Sequence, residues 1–253
     1  MSDPTPGLRA RRASSFGSRA AAYAEHRPDY PREALEWGLS GATGTPRRVL
    51  DLGAGTGKLS LGLAGLGLDV TAVEPDAEMR AELERRVPSA TSLAGQAERI
   101  PLPGARVDAV FVGQAFHWFD VPAAMTEIAR VLRPGGVLVP MWNCEDDSVP
   151  WVAEFTELGR DGARKPAGNH DLRQVEHPGF EPFESDRFRH GQRRTAESLL
   201  ETIATYSLVI VSAPEESSAL LTRLREFLAS NPATANGEFD LPLITWALRA
   251  RRR

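Results

Sequence analysis

The segment Val49-Leu50-Asp51-Leu52-Gly53-Ala54-Gly55-Thr56-Gly57-Lys58 limits the fold of this chain more than any other. An apolar run entering three closely spaced glycines reads as a buried strand, a tight turn and the start of a helix. Glycine there lets the backbone take torsions that other residues avoid and lets a ligand approach the main chain. The spacing is Gly-x-Gly-x-Gly, not the Gly-x-Gly-x-x-Gly of dinucleotide folds. Lys58 is followed by Leu59 rather than the Ser or Thr of a phosphate loop, so pyrophosphate is not the ligand this turn favours. At the end of the next apolar run, Val73 leads into Glu74-Pro75-Asp76, which puts a carboxylate where ribose hydroxyls lie in such an architecture.

These two features sit in a wider alternation. Apolar runs at Arg48 to Leu52, Asp69 to Val73, Ala90 to Leu93, Val107 to Val112 and Val137 to Trp142 are separated by polar helical stretches, the pattern of parallel strands with helical crossovers. Ahead of them, Ser18 to Ala24 and Arg32 to Leu39 read as helices divided by Pro28 and Pro31. Beyond Asn143, Trp151 to Gly159 reads as a helix, Gly162 to Pro182 as a long loop and Phe183 to His190 as a strand. Ala196 to Tyr206 and Pro214 to Ala229 follow as helices, and Leu241 to Leu248 closes the chain as a strand. The expected organisation is a disordered lead-in over 1–15, a helical lid over 16–46, a ligand-binding core over 47–143, and over 144–253 the remaining strands with a helical substrate cap inserted before the last one.

Composition narrows the function classes. With one cysteine in 253 residues, Cys144, an intramolecular disulfide and a cysteine-rich metal site are both excluded. His170 and His177 lack metal-ligand spacing, so no metal is expected. No apolar run reaches the roughly twenty residues of a membrane span, and no apolar segment follows the N-terminal arginines as a secretory signal requires, which points to a cytoplasmic protein with no membrane partner. A formal charge of −4 gives no global attraction to nucleic acid. Arg249 and Arg251 to Arg253 read as a solvated tail.

Taken in order, Asp51-Leu52-Gly53-Ala54-Gly55-Thr56-Gly57, Glu74-Pro75, Ala97-Glu98-Arg99-Ile100-Pro101-Leu102 and Val131-Leu132-Arg133-Pro134-Gly135-Gly136 resemble the class I S-adenosylmethionine-dependent methyltransferases. The segment from Phe16 to Pro31 resembles the N-terminus of the small-molecule group related to the ubiquinone C-methyltransferases and trans-aconitate methyltransferase. The resemblance implies a Rossmann-like α/β fold: a seven-stranded, mostly parallel sheet with helices on both faces. It implies S-adenosyl-L-methionine as cofactor, with contacts at Asp51, Gly53, Ala54, Gly55, Gly57, Glu74, Pro75, Met79, Ala97, Glu98 and Gln114. It further implies a lid in which Tyr23 shields the sulfonium and Arg27 pairs with the cofactor carboxylate.

Gly113-Gln114-Ala115-Phe116-His117-Trp118-Phe119-Asp120 follows the fourth strand, whose C-terminal end faces the ligand in an open parallel sheet. His117 is the candidate general base there, and Trp118, with Tyr30 of the lid, is a candidate acceptor-binding residue. The expected activity is methyl transfer to a small molecule. Two other readings share these motifs: a domain that binds the cofactor without transferring methyl, and a methyltransferase acting on a macromolecule. A nicotinamide-dependent dehydrogenase would need the wider glycine spacing.

Overall fold

The computed structural model describes residues 27–160, 175–204, 209 and 213–253. Tyr23, the helix expected over Ser18 to Ala24 and most of the expected loop after Gly162 lie outside them. Seven strands form one sheet: β1 (Arg48–Leu52), β2 (Asp69–Val73), β3 (Thr91–Leu93), β4 (Val107–Gly113), β5 (Leu132–Glu145), β6 (Glu184–Thr195) and β7 (Glu238–Arg251). Their order is β3-β2-β1-β4-β5-β7-β6. Strands β1 to β5 are mutually parallel. Backbone bonds from Arg252 to Gly136 and from Asp146 to Pro242 show that β7 runs antiparallel to β5. The helices are α1 (Arg32–Ser40), α2 (Lys58–Gly65), α3 (Ala77–Arg86), α4 (Val121–Val131), α5 (Pro150–Arg160), α6 (Ala196–Ala204) and α7 (Pro214–Ser230). Two of them, α6 and α7, fall between the last two strands in sequence, as expected.

Period-two alternation divides the parallel strands between two cores. Val49, Val70, Phe111, Val139 and Met141 join Ala34 and Leu35 of α1 and Leu59 and Leu63 of α2 in one cluster. Leu50, Leu52, Val110, Val112, Leu138 and Trp142 join Ala124, Met125, Ile128 and Val131 of α4 in the other. Strands buried on both faces read as continuous apolar runs, and this is why their sequence showed little polar alternation.

Two compact units emerge from the contacts. Among the described residues, one takes in 29–143, 175–188 and 245–253 and holds both of these clusters. The other takes in 27–28, 144–160, 189–204, 209 and 213–244. Its described core is Phe155 of α5, Leu199, Leu200 and Ile203 of α6, Leu224 and Leu228 of α7, and Phe239, Leu241 and Leu243 of β7. The last described helix extends one residue beyond the expected Pro214 to Ala229.

Two expectations are corrected. The terminal arginines are not a solvated tail, because Arg249 and Arg251 belong to β7 and the side chains of all four are committed. Arg249 stacks 4.3 Å over the Trp37 ring and holds Glu184 through two nitrogens. Arg251 donates to the Gly41 carbonyl, Arg252 to that of Leu132 and Arg253 to that of Pro178. Strand β5, expected to begin at Val137, begins at Leu132. Its Pro134-Gly135-Gly136 stretch is strand because Gly135 and Gly136 exchange backbone bonds with Arg252. Arg133 reaches both the Asp108 carboxylate, at 2.7 Å, and the Thr43 carbonyl, at 2.6 Å. Thus this motif secures the ends of the strands remote from the glycine turn.

Candidate active site

The glycine turn follows β1. Gly53, Gly55 and Gly57 have φ of 72°, 55° and 83°, all left-handed. A Cβ on Gly53 would lie 2.8 Å from the Ala115 Cβ, so only glycine lets the turn pack against the segment after β4. Around Gly55 the space is open, the nearest neighbour of a hypothetical Cβ being Met79 Sδ at 4.0 Å. The turn is tied to β2 by Gly53 and Ala54 N–H groups donating to the Val73 carbonyl. Helix α2 begins directly after Gly57, and its N-terminus concentrates backbone donors and positive dipole at this end of the sheet.

Glu74 lies at the end of β2, 9% exposed. One carboxylate oxygen accepts the Gly55 N–H at 2.9 Å, the other that of Asp76 at 3.0 Å. Each oxygen keeps a further lone pair for a diol. Burial pushes this carboxyl above its ordinary range, against the pull of the two backbone donors. Pro75 passes the chain to Asp76, whose side chain caps α3 through Glu78 and Met79 N–H groups. Arg80 donates to the Glu74 and Pro75 carbonyls, fixing the acidic corner. Met79, 5% exposed, faces the glycine turn from α3.

Asp51 is fully buried one residue before the end of β1. Its Oδ2 accepts the Ser60 hydroxyl at 2.7 Å, while Oδ1 has no donor. Burial, with the Glu74 charge adding to it, pushes the carboxyl up to about 7. The Thr56 hydroxyl in the glycine turn is likewise buried without a partner. Orphaned buried polar atoms are costly, so two of them at one turn mark a place where a polar ligand or water completes the bonding.

Ala97 is buried in the α4-side cluster. Glu98 accepts the Asp120 backbone N–H at 2.8 Å, linking its loop to the start of α4. Ile100 and Leu102 are held through Glu127 and Arg130 of α4.

After β4 the chain turns sharply. Gln114 has φ of 56°, an unusual torsion for a residue with a side chain. Its N–H donates to the Met141 carbonyl and its side-chain Nε2 to the Asn143 carbonyl, both at 2.9 Å. Next come a 3-10 turn, Phe116–Trp118, and Phe119, whose ring lies beside Gly53. His117 and Trp118 are half-buried with ring centroids 4.7 Å apart. Tyr30 lays its phenol over Gly113, with a hypothetical Gly113 Cβ 2.6 Å from Tyr30 Oη. Beside it, Asp29 pairs with Lys58 at 2.9 Å and gives its carbonyl to Asn143. The unusual Gln114 torsion and the Asn143 link were missed by sequence reasoning, since neither residue type marks such a position.

The glycine turn of β1, the acidic end of β2 and the segment after β4 thus meet at the C-terminal ends of the parallel strands. They flank the point between β1 and β4 where the strand order reverses, the usual place for a nucleoside ligand in an open α/β sheet. Fold and site together define a Rossmann-like nucleoside-binding enzyme. A family described as Methyltransferase domain matches residues 50–139. An uncharacterized methyltransferase of Mycobacterium tuberculosis is 43% identical over 238 residues, covering 93% of this chain and 95% of its own. An uncharacterized methyltransferase of Schizosaccharomyces pombe is 30% identical over 243 residues, with coverages of 94% and 97%. Among solved structures, a protein of Anaeromyxobacter dehalogenans assigned as a type II methyltransferase has a TM-score of 0.71 at 29% identity, over 89% of this chain and 97% of that one. The chain belongs to the class I S-adenosylmethionine-dependent methyltransferases, and S-adenosylmethionine is its cofactor.

The residues present fit that cofactor. Glu74 has lone pairs for a ribose diol, Gly55 leaves room beside Met79, and the Asp51 and Thr56 oxygens await partners at the same turn. Groups of His, Cys, Asp or Glu able to hold a metal ion do not occur among the described residues. No helix among them is long and apolar enough to cross a membrane.

Proposed function

We propose that this methyltransferase acts on a small-molecule acceptor, at the site bounded by the glycine turn and the Gln114 to Phe119 segment. The observation that carries this reading is the convergence of the Gly55 turn, Glu74 and Gln114 at one end of the sheet. S-adenosylmethionine, when bound, supplies a methyl group already activated on a sulfonium. The protein's part is then alignment and exclusion of water. In this reading Glu74 holds the ribose and Gly53, Ala54, Gly55 and Gly57 offer their backbone. Asp51 takes a polar hydrogen through Oδ1, while Pro75, Met79, Ala97 and Glu98 border the base. Arg27 and Tyr30 stand at the lid, and Trp118 and His117 on the acceptor side, His117 as the group to receive a proton when the nucleophile carries one.

A small acceptor is favoured over a nucleic acid because the net charge is −4 and the C-terminal arginines are spent within the protein. No membrane partner is proposed, and the site is read as working in the cytoplasm. Two experiments test the reading. Calorimetric titration with S-adenosylmethionine, S-adenosylhomocysteine and NAD should show selective binding of the first two. Glu74→Ala should weaken it about thirty- to a thousandfold, the loss of roughly 2–4 kcal/mol from hydrogen bonds to a charged group. Labelled methyl donor incubated with fractionated cell extract should then place label in the low-molecular-weight fraction. Label confined to protein or RNA would refute the small-molecule reading, and binding without transfer to any fraction would favour a sensor.

A further inference from the structure

Gln114 brackets one residue of the neighbouring strand. Its backbone N–H takes the carbonyl before Trp142 and its side-chain Nε2 the carbonyl after it. The side chain thereby continues the β4–β5 ladder past the point where the backbone has turned away. Because the nitrogen end of the amide is committed to a carbonyl, the oxygen end is fixed as an acceptor, and no described residue donates to it. Trp142 itself is 5% exposed, and its indole N–H has no acceptor. An indole N–H buried in a core ordinarily finds a partner. Its ring lies against that of Trp246 in β7, centroids 5.9 Å apart, and Trp246 is only partly buried. On the same face of the sheet stand Phe116 and Phe119, paired at 5.6 Å.

We propose that Trp142, Trp246 and Gln114 form the acceptor subsite, which takes a flat, largely apolar molecule whose carbonyl or carboxylate oxygen accepts the Trp142 indole hydrogen. The aromatic pairs supply the wall for a planar skeleton. The orphan indole N–H supplies a directional contact that would fix an oxygen at the end of β5. Gln114 joins this wall to the glycine turn along the chain, since its neighbour Ala115 abuts Gly53. Its amide oxygen is able to accept from a hydroxyl or amine on the same molecule. The inference rests on the function proposed above.

The test uses the full chain, labelled with nitrogen-15 and saturated with S-adenosylhomocysteine, with trans-cinnamate and 2-naphthoate as probes and trans-β-methylstyrene as an oxygen-free control. Each of the five tryptophans carries one indole N–H, and Trp142→Phe identifies its signal by removing it while the other four report that the fold is kept. The expected result is a saturable downfield movement of the Trp142 signal with at least one carboxylate probe and none with the control. Trp142→Phe should bind that probe about ten- to a hundredfold more weakly, with S-adenosylhomocysteine affinity unchanged. Trp246→Leu should weaken the probe as well. The inference is overturned if neither carboxylate moves the Trp142 signal, or if Trp142→Phe binds the probes as the native chain does. Should S-adenosylhomocysteine itself leave the Gly53, Gly55 and Gly57 backbone signals unmoved, it is the functional reading that fails, and this subsite falls with it.

Discussion

Asp51→Asn should make the protein less sensitive to alkaline pH. The Asp51 carboxyl is fully buried with one oxygen unbonded, and its pKa stands near 7 against an ordinary 3.8. A carboxyl raised in the folded state stabilises the fold fully below its unfolded pKa, where both states are neutral. That stability falls as pH rises, because the unfolded chain ionises first, and the loss is complete once pH exceeds the folded pKa. A displacement of about three pH units at 1.36 kcal/mol each amounts to about 4 kcal/mol, with no discount for solvent screening at so buried a site. The asparagine side chain retains an acceptor for the Ser60 hydroxyl. In acid, where Asp51 is already neutral, the variant and the native protein should differ by no more than about 1–2 kcal/mol. Urea unfolding at pH 5 and pH 8.5 measures both. About two of those three pH units lie between pH 5 and the folded pKa, so the native protein should lose about 3 kcal/mol more than Asp51→Asn between those values. An identical loss in the two proteins would show that Asp51 is solvated or already ionised, and would remove the argument from its unpartnered oxygen.

Asp108 behaves with the opposite sign. Donors from Arg47, Arg48 and Arg133 hold its carboxyl below the ordinary range despite burial, so its contribution is present above the unfolded pKa and is lost as acid protonates it in the fold. Asp108→Ala should cost about 3–5 kcal/mol at neutral pH in thermal unfolding, with S-adenosylhomocysteine affinity unchanged at temperatures where the variant is folded. Asp29→Asn removes a pair whose carboxylate is 70% exposed. A change of at most about 1 kcal/mol in stability is expected, and a larger one by calorimetry would give the pair a weight its exposure does not support. Methyl-transfer kinetics separate the roles of His117. If it is the base, His117→Ala lowers kcat by about a hundredfold or more and leaves cofactor affinity intact, whereas unchanged turnover removes it from the mechanism.

The glycine turn and the carboxylate after β2 were legible as neighbours because each of these signals is contiguous in sequence. A strand, three glycines and a carboxylate some twenty residues on need no distant partner to be read, and the structure sets Glu74 against Gly55 by a direct bond. What depends on pairing across the chain was not legible. Pro134-Gly135-Gly136 reads locally as a turn and becomes strand through Arg252, more than a hundred residues away. Arg249 reads as a surface charge and becomes a fastener because Trp37, Ser40 and Glu184 meet it. Glu98 was expected beside the base, and its bond to the Asp120 N–H gives that loop a structural duty as well. Trp142 reads as one more apolar strand residue. Its unsatisfied N–H is a property of its surroundings, which no local pattern encodes.

The torsion of Gln114 also bears on how this enzyme would respond to selection for heat tolerance. Holding a side-chain-bearing residue in the left-handed region costs about 1–2 kcal/mol, which glycine at that position would return. The same replacement would release the Asn143 carbonyl and leave the last rung of the β4–β5 ladder open. The two effects are of similar size, so a screen for thermostability alone would find glycine at position 114 nearly neutral. A library sorted for turnover as well would keep glutamine there only if the acceptor role proposed above holds, so the two sortings together separate that role from the ladder bond.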